Sequence, residues 1–136
     1  MAIRIYKTIH ELLGALAGYF ITTAKSAISL RGEFNVVLSG GNSPKPFYCM
    51  LASPDFNYQV NWDKINFFFV DERYVPPDDP RNNSRMAKEN LFNPLTISNS
   101  KIFSINTSLS PDEAAHEYAK RIATHFKGHK ARFDLV

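Results

Sequence analysis

The feature that most constrains the fold is a nearly unbroken apolar run from Ile65 to Val70, which contains three consecutive phenylalanines. A strand that is apolar at almost every position leaves no face for solvent, and this is typical of a parallel strand covered on both faces. A second apolar run, from Phe34 to Leu38, precedes it in the chain. The two runs predict core strands of an α/β domain.

Helical patterns alternate with these strands. After Thr8 and Glu11, which form an S/T-x-x-E capping box, apolar residues recur at three- and four-residue spacing, and Gly32 is expected to end that helix. The remaining expected elements are a short helix at 44–52, a helix at 84–91, a short strand at 101–105, a helix that starts with the capping box Ser110–Glu113 and ends near Gly128, and a fourth strand beginning at Arg132.

This alternation predicts βαβ units and a Rossmann-like parallel sheet with helices on both faces. If the strand order is Rossmann-like, it is third, second, first, fourth, and ligands bind outside the carboxyl ends of the first and fourth strands. The sequence ends within the fourth strand, so we expect an α/β fold truncated after the fourth core strand. Residues 1–136 are expected to form a single α/β domain.

Composition limits the classes of function. The chain has 136 residues and a formal net charge of +3, and its Lys and Arg residues are scattered, so neither a nucleic-acid partner nor a membrane partner is expected. The single cysteine excludes an internal disulfide and favours a reducing, cytoplasmic compartment. Cys49 falls within the short second helix and is predicted to be a small core residue.

A glycine-containing turn follows the first strand, in the segment LSGGNSP from Leu38 to Pro44. Gly40 and Gly41 permit unusual backbone angles and let a ligand approach the main chain closely. Ser43 is expected to cap the next helix, whose first N–H groups and dipole favour an anion, most often a phosphate. The alternative interpretation is a structural strand-to-helix turn whose glycines serve only geometry.

Charged residues follow the second strand at the edge where α/β enzymes place their chemistry. Asp71 is suited to orient or deprotonate a group, and the planar guanidinium of Arg73 is suited to bind a phosphate or carboxylate. The alternative is an Asp/Arg pair that only pins the loop. The spacing of four acidic residues, Asp71, Glu72, Asp78 and Asp79, fits no known metal-binding loop. We therefore predict no metal site.

One further set of polar residues lies at the start of the predicted helix at 84–91, and another lies on or near the last helix. Asn83 or Ser84 is predicted to be the N-cap of the next helix, and the functional alternative adds a hydrogen bond from Asn83 to a substrate. Three histidines, His116, His125 and His129, lie on or just after the last helix and are predicted to be surface residues.

Three motifs together resemble the 6-phosphogluconolactonase family. The turn from Leu38 to Pro44 is similar to its LSGG[S/N][T/S]P motif, and the segment FFFVDERYVP from Phe67 to Pro76 is similar to its F-x-x-x-DER-x-VP motif. Asn82 followed by Asn83 resembles the family's Ser-Asn pair, with Asn82 in place of serine. The family shares its sugar-phosphate isomerase/deaminase-like fold with glucosamine-6-phosphate deaminases, and Arg73 favours the lactonase.

The resemblance implies hydrolysis of 6-phospho-D-glucono-1,5-lactone to 6-phosphogluconate in the pentose phosphate pathway, without a metal or organic cofactor. In that chemistry a base activates water, and hydrogen-bond donors stabilise the oxyanion that forms at the lactone carbonyl. The resemblance assigns catalytic roles to Asp71 and Arg73 and substrate contacts to Gly40, Gly41, Asn42, Ser43, Arg73 and Asn83.

The sequence also departs from the family pattern. The family's catalytic histidine lies in a DGH-containing segment after a strand similar to Phe133–Val136, where this sequence ends. We therefore expect a lactonase parent protein and an inactive 136-residue chain that self-associates through its exposed sheet. Two alternatives remain: a deaminase-like enzyme of another sugar phosphate, and a short, non-catalytic protein that binds sugar phosphates.

Overall fold

Parallel strands form the centre of the fold. The computed structural model describes residues 3–136, in which strands β1 (Phe34–Leu38), β2 (Ile65–Phe69) and β3 (Ile102–Phe103) lie side by side in the order β1-β2-β3. Both strand pairs are parallel, and every residue of β2 is buried, as its apolar sequence predicts.

The last residues of the chain lie along the free side of β1. The backbone N–H of Val37 donates to the Leu135 carbonyl at 2.9 Å, and the Asp134 N–H donates to the Asn35 carbonyl at 2.8 Å. This pairing is parallel and amounts to one bridge rather than a full strand. The predicted order is therefore confirmed for the first three strands, and the terminal segment lies beside β1, where the fourth strand is predicted, without forming a strand.

The helices begin and end near the predicted residues. They are α1 (Ile9–Arg31), α2 (Lys45–Leu51), α3 (Asn83–Ala87), which continues as a π-helical turn over Lys88–Phe92, and α4 (Pro111–His125). Thr8 caps α1 by accepting from the Glu11 N–H at 3.1 Å, and Gly32 ends that helix with a φ of 83°. Ser110 and Glu113 form both bonds of the predicted capping box of α4. Among residues 3–136, every helix is too short or too polar to span a lipid bilayer.

Helices cover both faces of the sheet, as predicted. On one face, α1, α2 and α3 pack against alternate residues of β1 and β2, and the rings of Phe20 and Phe34 meet edge to face at 5.3 Å. On the other face, Phe68 stacks on Phe103 at 4.4 Å and on Phe126, just after α4, at 6.1 Å. Both faces of β2 therefore contribute to the core.

Two predicted caps are wrong. Ser43 makes no capping hydrogen bond to α2, because Pro44 rather than Ser43 occupies the N-cap position. At α3 the N-cap is Asn82, whose Oδ1 accepts from the Arg85 N–H at 2.9 Å. Asn83, the residue predicted there, is already the first residue of the helix.

The prediction that Cys49 is a core residue is also wrong, since Cys49 is exposed. Helix α2 turns Tyr48 and Leu51 into the core. Because successive helical residues lie about 100° apart, Cys49 is rotated away from the face that carries Tyr48. Its Sγ lies 3.4 Å from the Oδ1 of Asn90.

Candidate functional site

The carboxyl ends of β1 and β2 bring the two predicted motifs to the same edge of the sheet. The register pairs Leu38 with Phe69, and the Val70 N–H donates to the Leu38 carbonyl at 3.0 Å. The glycine turn begins two residues after β1, and Asp71 follows β2 at the same distance. The parallel pairing therefore makes the two motifs neighbours, as the sequence predicts.

Backbone geometry and one buried tyrosine shape the glycine turn. Gly41 has a φ of 85°, which side-chain-bearing residues rarely adopt. The hydroxyl of Tyr48 in α2 donates to the Ser39 carbonyl at 2.7 Å, and burial raises the pKa of this tyrosine. A buried, neutral hydroxyl thus ties the turn to the helix that follows it.

Gly40 is a glycine for a different reason. A Cβ at this position would lie 1.9 Å from the Cγ and Oδ1 atoms of Asn83 and 2.1 Å from its Nδ2 atom. These distances are far shorter than any van der Waals contact, so the Asn83 amide needs the space that the missing side chain leaves. Gly40 therefore serves packing against Asn83.

Asn83 connects the turn to the acidic motif. Its Nδ2 donates to the Asp71 Oδ1 at 3.1 Å, with the Asp71 carbonyl at 3.3 Å, and only 2% of the residue is exposed. The side chain is consequently held between Gly40 on one side and Asp71 on the other. The loop after β2, the glycine turn and the start of α3 thus meet at one buried amide.

Glu72 stabilises the same junction, a role that the sequence analysis did not predict. Its Oε1 accepts from the Asn83 N–H at 2.6 Å and from the Arg73 N–H at 2.8 Å, while its Oε2 accepts from the Ser84 N–H at 2.9 Å. A carboxylate at the start of a helix satisfies unpaired N–H groups and complements the helix dipole. Because Glu72 lies 11 and 12 residues before its helix partners, no local capping pattern reveals it.

A small open cleft of about 240 Å³ lies at this junction. Four of the predicted site residues line it: Gly41, Asn42, Arg73 and Asn83. The other three do not: Gly40 lies against Asn83, Asp71 bonds to Asn83, and Ser43 is an exposed residue of the turn.

Arg81 also lines the cleft and was not predicted. Its Nε and one terminal nitrogen donate to the two carboxylate oxygens of Asp79 at 3.0 and 2.8 Å. The hydrogen bonds from Arg81 lower the pKa of Asp79 to about 2. Arg73 differs, because within residues 3–136 no hydrogen bond or ion pair engages its guanidinium. Of the two arginines, Arg73 is the one available to an anionic ligand.

A larger cleft of about 660 Å³ lies on the other side of α3. Residues of α3, of the segment after β3 and of α4 line it, including Arg85, Glu117 and Arg121. It contains none of the predicted site residues. We assign the functional site to the smaller cleft because it is the one that joins the glycine turn to Arg73 and Asn83.

Tyr118 stabilises the carboxyl end of β2. Its hydroxyl donates to the Phe69 carbonyl at 2.9 Å and accepts from the Phe69 N–H at 2.8 Å. β3 pairs with β2 only as far as Phe68, so Tyr118 satisfies the backbone groups of the last β2 residue. Burial raises the pKa of Tyr118.

No histidine lines the smaller cleft, and one predicted surface histidine is in fact largely buried. The His125 side chain is 12% exposed, and its Nε2 lies 2.9 Å from the Oδ1 of Asn35 at the amino end of β1. Its ring packs edge to face on Phe68, with 5.3 Å between centroids. The prediction failed because the end of α4 packs against the sheet. His125 therefore lies at the edge of the sheet opposite the cleft.

The fold and the cleft define a Rossmann-like α/β domain with a candidate small-ligand site at the carboxyl edge of its parallel sheet. The chain belongs to the family of glucosamine-6-phosphate isomerases/6-phosphogluconolactonase, whose profile matches residues 7–136.

Individual relatives agree with this assignment. The chain is 38% identical to a 6-phosphogluconolactonase from Synechocystis, covering 85% of this chain and 48% of the relative. It is 32% identical to a probable 6-phosphogluconolactonase from Arabidopsis thaliana, covering 98% of this chain and 53% of the relative. The crystal structure of a 6-phosphogluconolactonase from Thermotoga maritima superimposes with a TM-score of 0.79 at 29% identity, covering 89% of this chain and 52% of that one. The chain thus spans about half the length of these relatives.

Proposed function

We propose that the cleft of this chain binds the substrate in the hydrolysis of 6-phospho-D-glucono-1,5-lactone to 6-phosphogluconate, a reaction of the pentose phosphate pathway. The observation that carries the proposal is the meeting of Gly41, Asn42, Arg73 and Asn83 in one cleft at the carboxyl edge of the sheet. Relatives named 6-phosphogluconolactonase support the choice of substrate.

Arg73 is proposed to bind the negatively charged group of the ligand. A guanidinium presents several N–H donors in a plane and matches the oxygens of a phosphate or carboxylate. The Arg73 side chain is exposed and faces the cleft, whereas the nearby Arg81 is already paired with Asp79. The glycine turn, with Gly41 and Asn42 on the wall, is proposed to contact the sugar part of the ligand.

Asp71 is proposed to orient the reacting groups. Asn83 donates to the Oδ1 atom of this exposed residue, which fixes the carboxylate. Within residues 3–136 no side chain donates to its Oδ2 atom, so that oxygen is proposed to accept from a water molecule or a sugar hydroxyl. Lactone hydrolysis also needs a base to activate water, and none of the four histidines of the sequence lies in the cleft. The 136-residue polypeptide is therefore proposed to bind the substrate and product without fast turnover.

Isothermal titration of the polypeptide with 6-phosphogluconate tests the proposal. We expect saturable binding to one site, weakened at least about tenfold in the Arg73→Ala variant and kept in Arg81→Ala. Lactone hydrolysis, followed by acid release, is expected to stay at the spontaneous rate. The absence of 6-phosphogluconate binding would contradict the proposed function, and ammonia release from glucosamine 6-phosphate would favour a deaminase.

The proposed cellular location is the cytoplasm. A single cysteine and a small phosphorylated metabolite as ligand support this location. Fractionation of cells that express the tagged protein measures it, and recovery in an organelle fraction would contradict it.

A further inference from the structure

We infer that Glu72 is a positioning residue of the cleft, which acts by holding the start of α3 against the loop after β2. The inference rests on the proposed function only for the choice of ligand, because the contacts of Glu72 lie within the protein. These contacts of the carboxylate determine the position of Asn83 relative to Gly40 and Asp71.

Both carboxylate oxygens of Glu72 are used. Oε1 accepts from the N–H of Asn83 at 2.6 Å, and Oε2 accepts from the N–H of Ser84 at 2.9 Å. First-turn N–H groups have no partner within their own helix, so the two bonds fix the direction in which α3 leaves the loop. The Asn83 side chain, which projects from this first turn, moves with it.

The same carboxylate also contacts the backbone of Arg73, a residue of the opposite wall of the cleft. Its Oε1 accepts from the Arg73 N–H at 2.8 Å. One side chain therefore joins the backbone of Arg73 to the backbone of Asn83. The separation of Arg73 and Asn83, which both line the cleft, depends on this link.

Asn82 does not supply this link, although it caps the helix. Its Oδ1 accepts from the Arg85 N–H three residues later, so the bond is local to α3. Such a cap favours the helix itself but leaves its orientation free. Glu72 makes the contacts that cross from β2 to α3.

Amide hydrogen exchange tests the link without any ligand. In Glu72→Ala we expect the N–H groups of Asn83 and Ser84 to exchange at least tenfold faster, a change of about 1.4 kcal/mol in protection, while the β2 amides stay protected. Glu89→Ala is the matched control, because it removes a carboxylate that pairs with Arg85 in the same helical segment. Unchanged exchange of Asn83 and Ser84 in Glu72→Ala would overturn the inference.

A double-mutant cycle tests the consequence for binding. We expect Glu72→Ala to weaken 6-phosphogluconate binding about tenfold in the wild-type background and less than twofold in Asn83→Ala, because Glu72 acts through Asn83. Equal losses in both backgrounds would contradict the inference. If Glu72→Ala does not fold, Glu72→Gln, which keeps one acceptor oxygen, replaces it in both experiments. If the wild-type chain does not bind 6-phosphogluconate, the proposed function fails, while amide exchange still decides the role of Glu72.

Discussion

The side-chain amide of Asn83 occupies the space that a Cβ atom on Gly40 would fill. The built Cβ lies only 1.9 Å from the Asn83 Cγ, and the amide is fixed further by its bond to Asp71. Two residues 43 positions apart are therefore fitted to each other at the carboxyl edge of the sheet. This fit brings the glycine turn and the start of α3 to the same cleft.

Replacing Gly40 by alanine is expected to displace Asn83. Overpacking of this kind costs about 1–3 kcal/mol, and we expect that loss in the free energy of unfolding measured with urea. Titration of the same variant with 6-phosphogluconate is expected to show at least about tenfold weaker binding, which corresponds to 1.4 kcal/mol. A variant with wild-type stability and affinity would contradict the prediction, because it would show that the Asn83 side chain moves aside without cost.

Two companion variants separate the clash from a general effect of alanine. Gly14→Ala adds the same methyl group within α1, where nothing lies within 4 Å, and it is expected to stabilise the chain by up to about 1 kcal/mol. In Gly40→Ala/Asn83→Ala the clashing atoms are absent. We expect this double variant to recover part of the stability lost in Gly40→Ala but not the binding.

Arg73 is expected to dominate the electrostatic part of ligand binding. A hydrogen bond to a charged group contributes about 1.5–3 kcal/mol, so Arg73→Ala should weaken 6-phosphogluconate binding at least about tenfold. Arg73→Lys keeps the charge but not the planar group, and an intermediate affinity is expected. Arg81→Ala is the control within the same cleft, and a loss as large as that of Arg73→Ala would contradict the assignment of roles.

Tyr118→Phe removes both hydrogen bonds at the end of β2. The N–H and carbonyl of Phe69 then lose their partner, and each buried unsatisfied group costs about 1–3 kcal/mol. We expect a lower urea midpoint with an unchanged slope. Tyr58→Phe removes the same hydroxyl from a side chain that is 76% exposed, and equal losses in the two variants would contradict the role of Tyr118.

His125 is expected to make stability fall in acid. Burial lowers its pKa, an effect that exceeds the opposing attraction of Glu33 and is reinforced by Lys101. The unfolded chain, with an ordinary histidine pKa of about 6.5, therefore takes up the proton first, and stability declines as the pH falls below that value through the lower folded pKa.

Urea denaturation between pH 8 and pH 5 measures this dependence. His125→Gln is expected to flatten the profile in this range, since glutamine does not titrate. His129→Gln, which changes an exposed histidine, is expected to leave the profile as it is in the wild type. A wild-type profile that His125→Gln does not alter would contradict the prediction.

Self-association stays a prediction. Val136 is 78% exposed, and within residues 3–136 no strand pairs with the outer side of the segment that lies along β1. Such an edge favours pairing with another copy. We expect sedimentation to show a mass that rises with concentration, a rise reduced in Val136→Lys and kept in Ile3→Lys, which changes an exposed residue elsewhere. A constant monomer mass would contradict it.

Much of the fold was predictable because its signals are local. The apolar run of β2, the capping box at Ser110 and the helix-ending Gly32 each act within a few residues of the chain. Alternating strands and helices then limit the topology to a parallel sheet with few strand orders. The approximate place of the site followed as well, since the carboxyl ends of parallel strands meet at one edge.

The sequence by itself determined the strands, the main helix caps and the edge of the sheet where Gly41 and Arg73 meet. Only the tertiary structure decided that Asn83 fits against Gly40, that Glu72 ties α3 to β2, and that the His125 side chain is largely buried. These contacts join residues that are 11 to 90 positions apart, and their geometry depends on how whole elements pack. Periodicity and capping patterns report backbone conformation over a few residues, so they carry no information about such distant partners.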